Sequence, residues 1–137
     1  KTPYFEKFAP DFSSWYHDRT FEYLADFTIE LITHFKKIAG ITTPLVRASS
    51  LGIEALDASD RLAKITQAAG GTAYLTGPSG GTKYELREEP FNARGIAIMH
   101  QEFHHPVYEQ HHARFDGAFE KNLAAIDALF NTGGLPL

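Results

Sequence analysis

Thr72-Ala73-Tyr74-Leu75-Thr76-Gly77-Pro78-Ser79-Gly80-Gly81-Thr82-Lys83 is the stretch on which the fold turns. Its first five residues combine β-branched and aromatic side chains between Gly70-Gly71 and Gly77-Pro78, the pattern of a short strand that runs into a turn. Upstream, Thr43 to Ser49 reads as a second short strand, with Pro44 at its start where a missing amide donor matters least. Between the two, residues 60–69 read as a helix. Ser59 caps it, Leu62, Ile65 and Thr66 face inward, and Gly70-Gly71 end it. Strand, helix, strand over this distance is a βαβ unit, so the two strands are expected to lie parallel. Downstream, a helix is expected over about 84–94, and Gly95 to Gln101 reads as a third strand. The fold class is therefore α/β: a mostly parallel sheet flanked by helices in a Rossmann-like, three-layer arrangement.

The flanks are helical. Phe21, Leu24, Ala25, Leu31, Ile32, Phe35 and Ile38 recur at three- and four-residue steps, predicting one helix from about Thr20 to Ala39. Asp18 or Thr20 can cap its start, Lys36 and Lys37 suit its negative end, and Gly40 stops it. At the other end of the chain, Asn122 to Phe130 reads as a short helix halted by Gly133-Gly134. Residues 3–17 carry Tyr4, Phe5, Phe8, Phe12, Trp15 and Tyr16, interrupted by Pro3 and Pro10. They read as an irregular segment or short helical turns on a core, or else as an arm docking on further sequence. Residues 102–119, with Pro106 and four histidines, resist assignment.

A length of 137 residues suits one domain over 1–137 and is too short for two with separate cores. Composition, with 43% hydrophobic and 22% charged residues, is that of an ordinary globule. A formal charge of −4, with Lys36-Lys37 the only adjacent pair of basic residues, argues against nucleic acid as a partner. No apolar run reaches membrane-spanning length and no signal-peptide pattern occurs. The absence of cysteine excludes disulfides and thiolate chemistry, and fits a reducing cytoplasm. A start at Lys1-Thr2-Pro3 is expected of a processed or trimmed product. The sequence names no cofactor and fixes no oligomeric state.

In open parallel sheets, ligands sit beyond the carboxyl ends of the strands. That rule selects Ser49 and Ser50 after one strand, and Gly77, Ser79, Gly80, Gly81 and Lys83 after the next. Glycines, hydroxyls and a lysine ahead of a helix can bring backbone amides up to a phosphate or carboxylate. Equally, the glycines can do no more than permit a tight turn. The loop fails the Walker A pattern, because Thr82 stands where glycine is required and Tyr84 where a magnesium-holding hydroxyl belongs. The second candidate is the histidine-rich stretch. His100, His104, His105, His111 and His112 stand near Glu102 and Glu109, a composition that suits a divalent metal. Pro106 and the lack of a His-Glu-x-x-His pattern speak against one, and no metal site is assigned. A general acid/base role falls to His105. His17, His34, His111 and His112 read as surface or satisfied core residues. Asp60 reads as a first-turn acid complementing its helix, and Tyr74 as core. Asp127 and Asn131, one helical turn apart, read as a structural hydrogen-bonding pair that orients a loop, with lining a site as the alternative.

Several segments together resemble the WbqC-like family. These are Ala48-Ser49-Ser50-Leu51, Asp60-Arg61-Leu62, Ala73 to Gly80, Gly95-Ile96, His105-Pro106-Val107-Tyr108-Glu109-Gln110, and Ile126 to Gly133. They keep the family's order from about residue 43 to 134, and the aromatic opening with its long helix also fits. Ala124 departs from the serine common there, and the family's amino-terminal His-Gln-Pro segment is absent, so the chain resembles the carboxyl-terminal part of such a protein. The resemblance implies a bacterial cytoplasmic protein of surface-polysaccharide, O-antigen-type assembly that transfers a glycyl or other small acyl group to a sugar. Under it, the glycine loop holds the phosphate of an activated donor and His105 deprotonates the acceptor. Ser49, Ser50, Tyr108 and Gln110 then position that acceptor. The partner is a small anionic or sugar ligand. Two other functions fit the residues: a non-catalytic nucleotide-sugar or carboxylate-binding module, and a metal-dependent hydrolase.

Overall fold

The strand read from residues 72–76 forms as β1 (Ala73–Thr76), and the one read from 95–101 as β2 (Ala97–His100). They pair parallel, Ala73 opposite Ala97 and Thr76 opposite His100. The bonds Ala97 N to Thr72 O and Gln101 N to Thr76 O extend the ladder at each end. The computed structural model describes residues 1–77, 86–111 and 117–136. Among these the sheet has two strands, accompanied by five α-helices. The architecture mixes helix and parallel sheet, and the described residues do not build a three-layer arrangement.

The expected strand over Thr43 to Ser49 does not form. Residues 41–47 are irregular, and Ala48–Leu51 is a 3-10 turn that ends at Gly52 with φ +60°. The Ser50 amide and hydroxyl both donate to Arg47 O, at 3.0 and 2.7 Å. A hydroxyl that captures a nearby carbonyl offers the backbone a local alternative to a ladder. The parallel crossover therefore joins β1 to β2, rather than running through the helix at 58–68.

The chain divides into two compact units, one of residues 1–43 with 105–137 and the other of residues 44–104. In the first, α1 (Phe5–Ser13) leads into a π-helical turn (Ser14–Asp18), and α2 (Leu24–Ile38) follows. Residues 5–18 are thus helical, α-helix to Ser13 and π-helical beyond it, with Pro10 inside α1. Phe8, Phe12 and Leu129 form the buried centre, with Leu31, Phe35 and Ile38 of α2 packed on it. Leu24 and Ile32, expected on the same stripe, are exposed. Neither Asp18 nor Thr20 caps α2: its N-cap is Tyr23, without a side-chain bond. The last helix of this unit, Ala125–Thr132, ends at Gly133 in the left-handed region, φ +80°.

In the second unit, α3 (Ala58–Ala68) starts two residues earlier than the reading of residues 60–69. Asp57, not Ser59, is the cap: its Oδ1 accepts the Asp60 amide at 3.0 Å. Ser59 is buried inside the helix and accepts the Arg87 amide at 3.0 Å. A short helix, α4 (Glu89–Asn92), carries Phe91 into a core with Ala63 and Ile96, where Tyr74 lies 5.2 Å ring to ring from Phe91. Tyr74 is core, as its strand position suggests. The terminal helix Ala125–Thr132 is α5. No helix among the described residues is long and apolar enough to cross a membrane.

Candidate functional site

Ser49 and Arg61 meet at one cleft. It belongs wholly to the unit of residues 44–104, has a volume of about 470 Å³, and is lined by Ala48, Ser49, Gly52, Ile53, Glu54, Arg61 and Ile65. Such a volume suits a small ligand. Helix geometry explains part of the lining: Arg61 and Ile65 stand four residues apart on α3 and so share a face. The 3-10 turn presents Ser49 from the opposite segment. Ala48, Gly52, Ile53 and Ile65 carry no polar side-chain group, and the polar side chains of the lining supply one hydroxyl, one carboxylate and one guanidinium.

A network of ion pairs holds α3 behind this cleft. Asp60 is buried, its Oδ1 accepting from Arg94 Nη2 at 2.9 Å and its Oδ2 pairing with Lys64 Nζ at 2.8 Å. The Leu56 amide also donates to Oδ2, at 3.1 Å. The Lys64 hydrogen bond, then that of Leu56, holds the Asp60 carboxyl below its ordinary value of 3.8, with Lys64 and Arg94 charge adding to the effect against burial. Asp57 pairs with Arg87. Asp60 thus does more than complement a helix dipole. It joins α3 to Leu56 and, through Arg94, to the chain after α4.

The histidine-bearing motif lies in the other unit and docks on α5. Tyr108 Oη donates to Asp127 Oδ2 at 2.8 Å, and Gln110 Nε2 donates to the same oxygen at 3.2 Å. Gln110 also donates to Glu120 O and accepts the Glu120 amide, at 3.0 and 2.8 Å. Asn131 Nδ2 donates to Asp127 Oδ1 at 3.2 Å while its Oδ1 accepts the His111 amide at 2.9 Å. Asp127 and Asn131 therefore act as the structural pair that orients residues 105–111. Burial first, then the hydrogen bond to Asp127, pushes the Tyr108 phenol above 10.0.

His105 Nδ1 lies 2.9 Å from Pro106 O, and His105 Nε2 lies 3.1 Å from the Asn122 amide. A carbonyl can only accept and an amide can only donate, so Nδ1 carries the proton. Asn122 is held at φ +62°, a left-handed conformation uncommon outside glycine.

The remaining expected residues lie as follows. Ser50 closes the 3-10 turn. Gly77 follows β1, is exposed, and a Cβ there would meet nothing within 4 Å. Ser79, Gly80, Gly81 and Lys83 lie outside the described residues, as does His112. The premise that Ser49-Ser50 and Gly77 end adjacent parallel strands fails, since the serines end no strand. Ser49, His105, Tyr108 and Gln110 do not fall in one unit. Among the described residues, no group of three His, Asp or Glu side chains gathers as metal ligands. The sequence reading passed over Arg61 and Glu54. The signal for Arg61 was its place four residues ahead of Ile65, beside an acid already committed to the core.

The family model described as the WbqC-like protein family matches residues 1–135. The chain belongs to the WbqC-like family. The match takes in α1 and α2, and so reaches beyond the 43–134 span that carries the recognisable motifs. No curated protein and no solved structure matches the chain significantly. Within this WbqC-like chain, the segments Ala48–Leu51 and Asp60–Leu62 both contribute to the cleft.

Proposed function

We propose that this WbqC-like chain binds a small anionic ligand, a nucleotide-sugar or a sugar carboxylate, in the cleft between Ser49 and Arg61, and that it does so in bacterial surface-polysaccharide assembly of O-antigen type. One observation carries the binding: two motif segments, separated in sequence, line a single cleft with a guanidinium and a hydroxyl. A guanidinium fork matches a carboxylate or phosphate in two bonds, and a hydroxyl supplies the lateral contact. Family membership supports the biological setting.

A charge-assisted hydrogen bond is worth about 1.5–3 kcal/mol, so Arg61→Ala should weaken binding of galacturonate or a uridine-diphosphate sugar about 10- to 100-fold. Galactose, which lacks the anion, should bind far more weakly to the unaltered protein. Titration calorimetry gives both numbers. Equal affinities for Arg61→Ala and the original chain would overturn the assignment.

Transfer of a glycyl or other acyl group to a sugar is the second reading. It is favoured by the protonated Nδ1 of His105, which leaves Nε2 as the basic nitrogen. For Nε2 to take a proton, the bond from the Asn122 amide must open. Tyr108 and Gln110, in the same unit as His105, would position the acceptor. Binding stands first because those two side chains already spend their donors on Asp127. His105→Gln should abolish transfer and spare affinity; retained turnover would remove the base.

A further inference from the structure

In the unit of residues 44–104 the acids at the start of α3 already have partners. Asp57 is matched by Arg87, and Asp60 by both Lys64 and Arg94. Each acid beside Arg61 is thus already taken. Lys64 gives its ammonium to Asp60 and to the Glu54 backbone carbonyl, at 2.8 Å each. That bond anchors the Glu54 backbone to α3. Among the described residues neither the Glu54 carboxylate nor the Arg61 guanidinium has an ion-pair partner, yet both line the same cleft. The rest of the lining, Ala48, Ser49, Gly52, Ile53 and Ile65, carries no charge.

We infer that the cleft takes a zwitterion: a compact ligand whose anionic group sits on Arg61 and whose ammonium sits on Glu54, its apolar face lying on Ile53 and Ile65. This rests on the cleft being the ligand site and adds what that site selects. A purely anionic ligand would satisfy Arg61 but bring like charge up to Glu54. A purely cationic one would do the reverse. A ligand with both groups places each against its complement, in a cleft wide enough to hold a sugar ring. Glu54 is accordingly the specificity residue, and Arg61 the affinity residue.

Three probes on one scaffold test this by titration calorimetry on the whole chain, at slightly acidic pH where the amine stays charged. Muramic acid carries a carboxylate and an ammonium. N-acetylmuramic acid keeps the carboxylate and blocks the amine; glucosamine has the amine alone. The original protein should bind muramic acid about 10-fold or more tighter than either of the others. Glu54→Gln should erase the preference over N-acetylmuramic acid while leaving affinity for the latter unchanged or improved. Arg61→Ala should weaken both acids, and Arg61→Lys, which keeps a point charge, should recover part of the loss. If Arg61→Ala weakens both acids but no amine preference exists, or the preference survives Glu54→Gln, the zwitterion inference falls and the anion site stands. If Arg61→Ala changes neither affinity, or neither acid binds, both fall.

Discussion

Replacing Asp127 with alanine removes the acceptor on which residues 105–111 are docked. Three side-chain bonds go with it: Tyr108 at 2.8 Å, Gln110 at 3.2 Å and Asn131 at 3.2 Å. Their losses are unequal. Gln110 keeps both bonds to Glu120, and Asn131 keeps its bond to the residue-127 carbonyl at 2.9 Å. The phenol of Tyr108, half-buried, keeps only its contact with Gln110. A hydrogen bond to a charged group is worth about 1.5–3 kcal/mol, and the two longer bonds add less, giving about 2–4 kcal/mol for Asp127→Ala. Tyr108→Phe, which leaves the other two bonds in place, should cost about 1–2 kcal/mol. Because both variants remove the same contact, the double variant should cost less than their sum by about 1 kcal/mol or more. Urea unfolding midpoints supply the cycle.

A second readout belongs to the phenol. Tyr108 titrates above 10.0 because of burial and then Asp127, so Asp127→Ala should move it down toward 10.0 without abolishing the shift due to burial. The sign of the linkage follows. A folded value raised above the unfolded one stabilises the protein fully below about 10, and that contribution is lost as pH rises through the raised value. The original protein should therefore lose stability in that alkaline window, and Tyr108→Phe should lose less. Nuclear magnetic resonance of labelled tyrosine resolves Tyr108 among the six tyrosines. Strictly additive variants, together with an unmoved Tyr108 titration, would refute the docking of this segment through Asp127.

Gly133→Ala should destabilise the chain by about 1–3 kcal/mol, because a side chain there is strained at φ +80°. Its Cβ would also stand 2.6 Å from the Tyr4 ring; a thermal midpoint equal to that of the original protein would count against this packing. Phe91→Ala empties a fully buried site against Tyr74 and should cost about 3–5 kcal/mol, with amide exchange accelerating first in β1 and β2. Exchange rising instead only in α1 and α5 would contradict the separate core. For Asp60, whose carboxyl is held low chiefly by Lys64, the stabilising contribution is present above 3.8 and lost as pH falls below it. Asp60→Asn should lower stability at neutral pH and flatten its decline in acid; parallel pH profiles would exclude the network.

Short-range chemistry was legible and long-range pairing was not. Residues 72–76 and 95–101 declared their strands because glycines bracket β-forming side chains, and the two strands do run parallel. The opening misled for an instructive reason. Phe5, Phe8, Phe12 and Trp15 stand three, four and three residues apart, a helical period obscured by Pro10. A proline inside a helix costs about 3 kcal/mol, and burying Phe8 and Phe12 returns about 1.5–3 kcal/mol for each, so the helix persists through it. At 43–49 the error ran the other way, as strand-like residues lost to the Ser50 hydroxyl, a competitor that a propensity sum does not weigh. The site was harder still. Asp57 meets Arg87 and Asp60 meets Arg94 across 30 and 34 residues, contacts that no local pattern encodes. Once those partners are assigned, Glu54 and Arg61 stand without one among the described residues, and both line the same cleft. The candidate site thus depends on pairings between distant residues, which fix α3 and its neighbours in a way that no single stretch of sequence expresses.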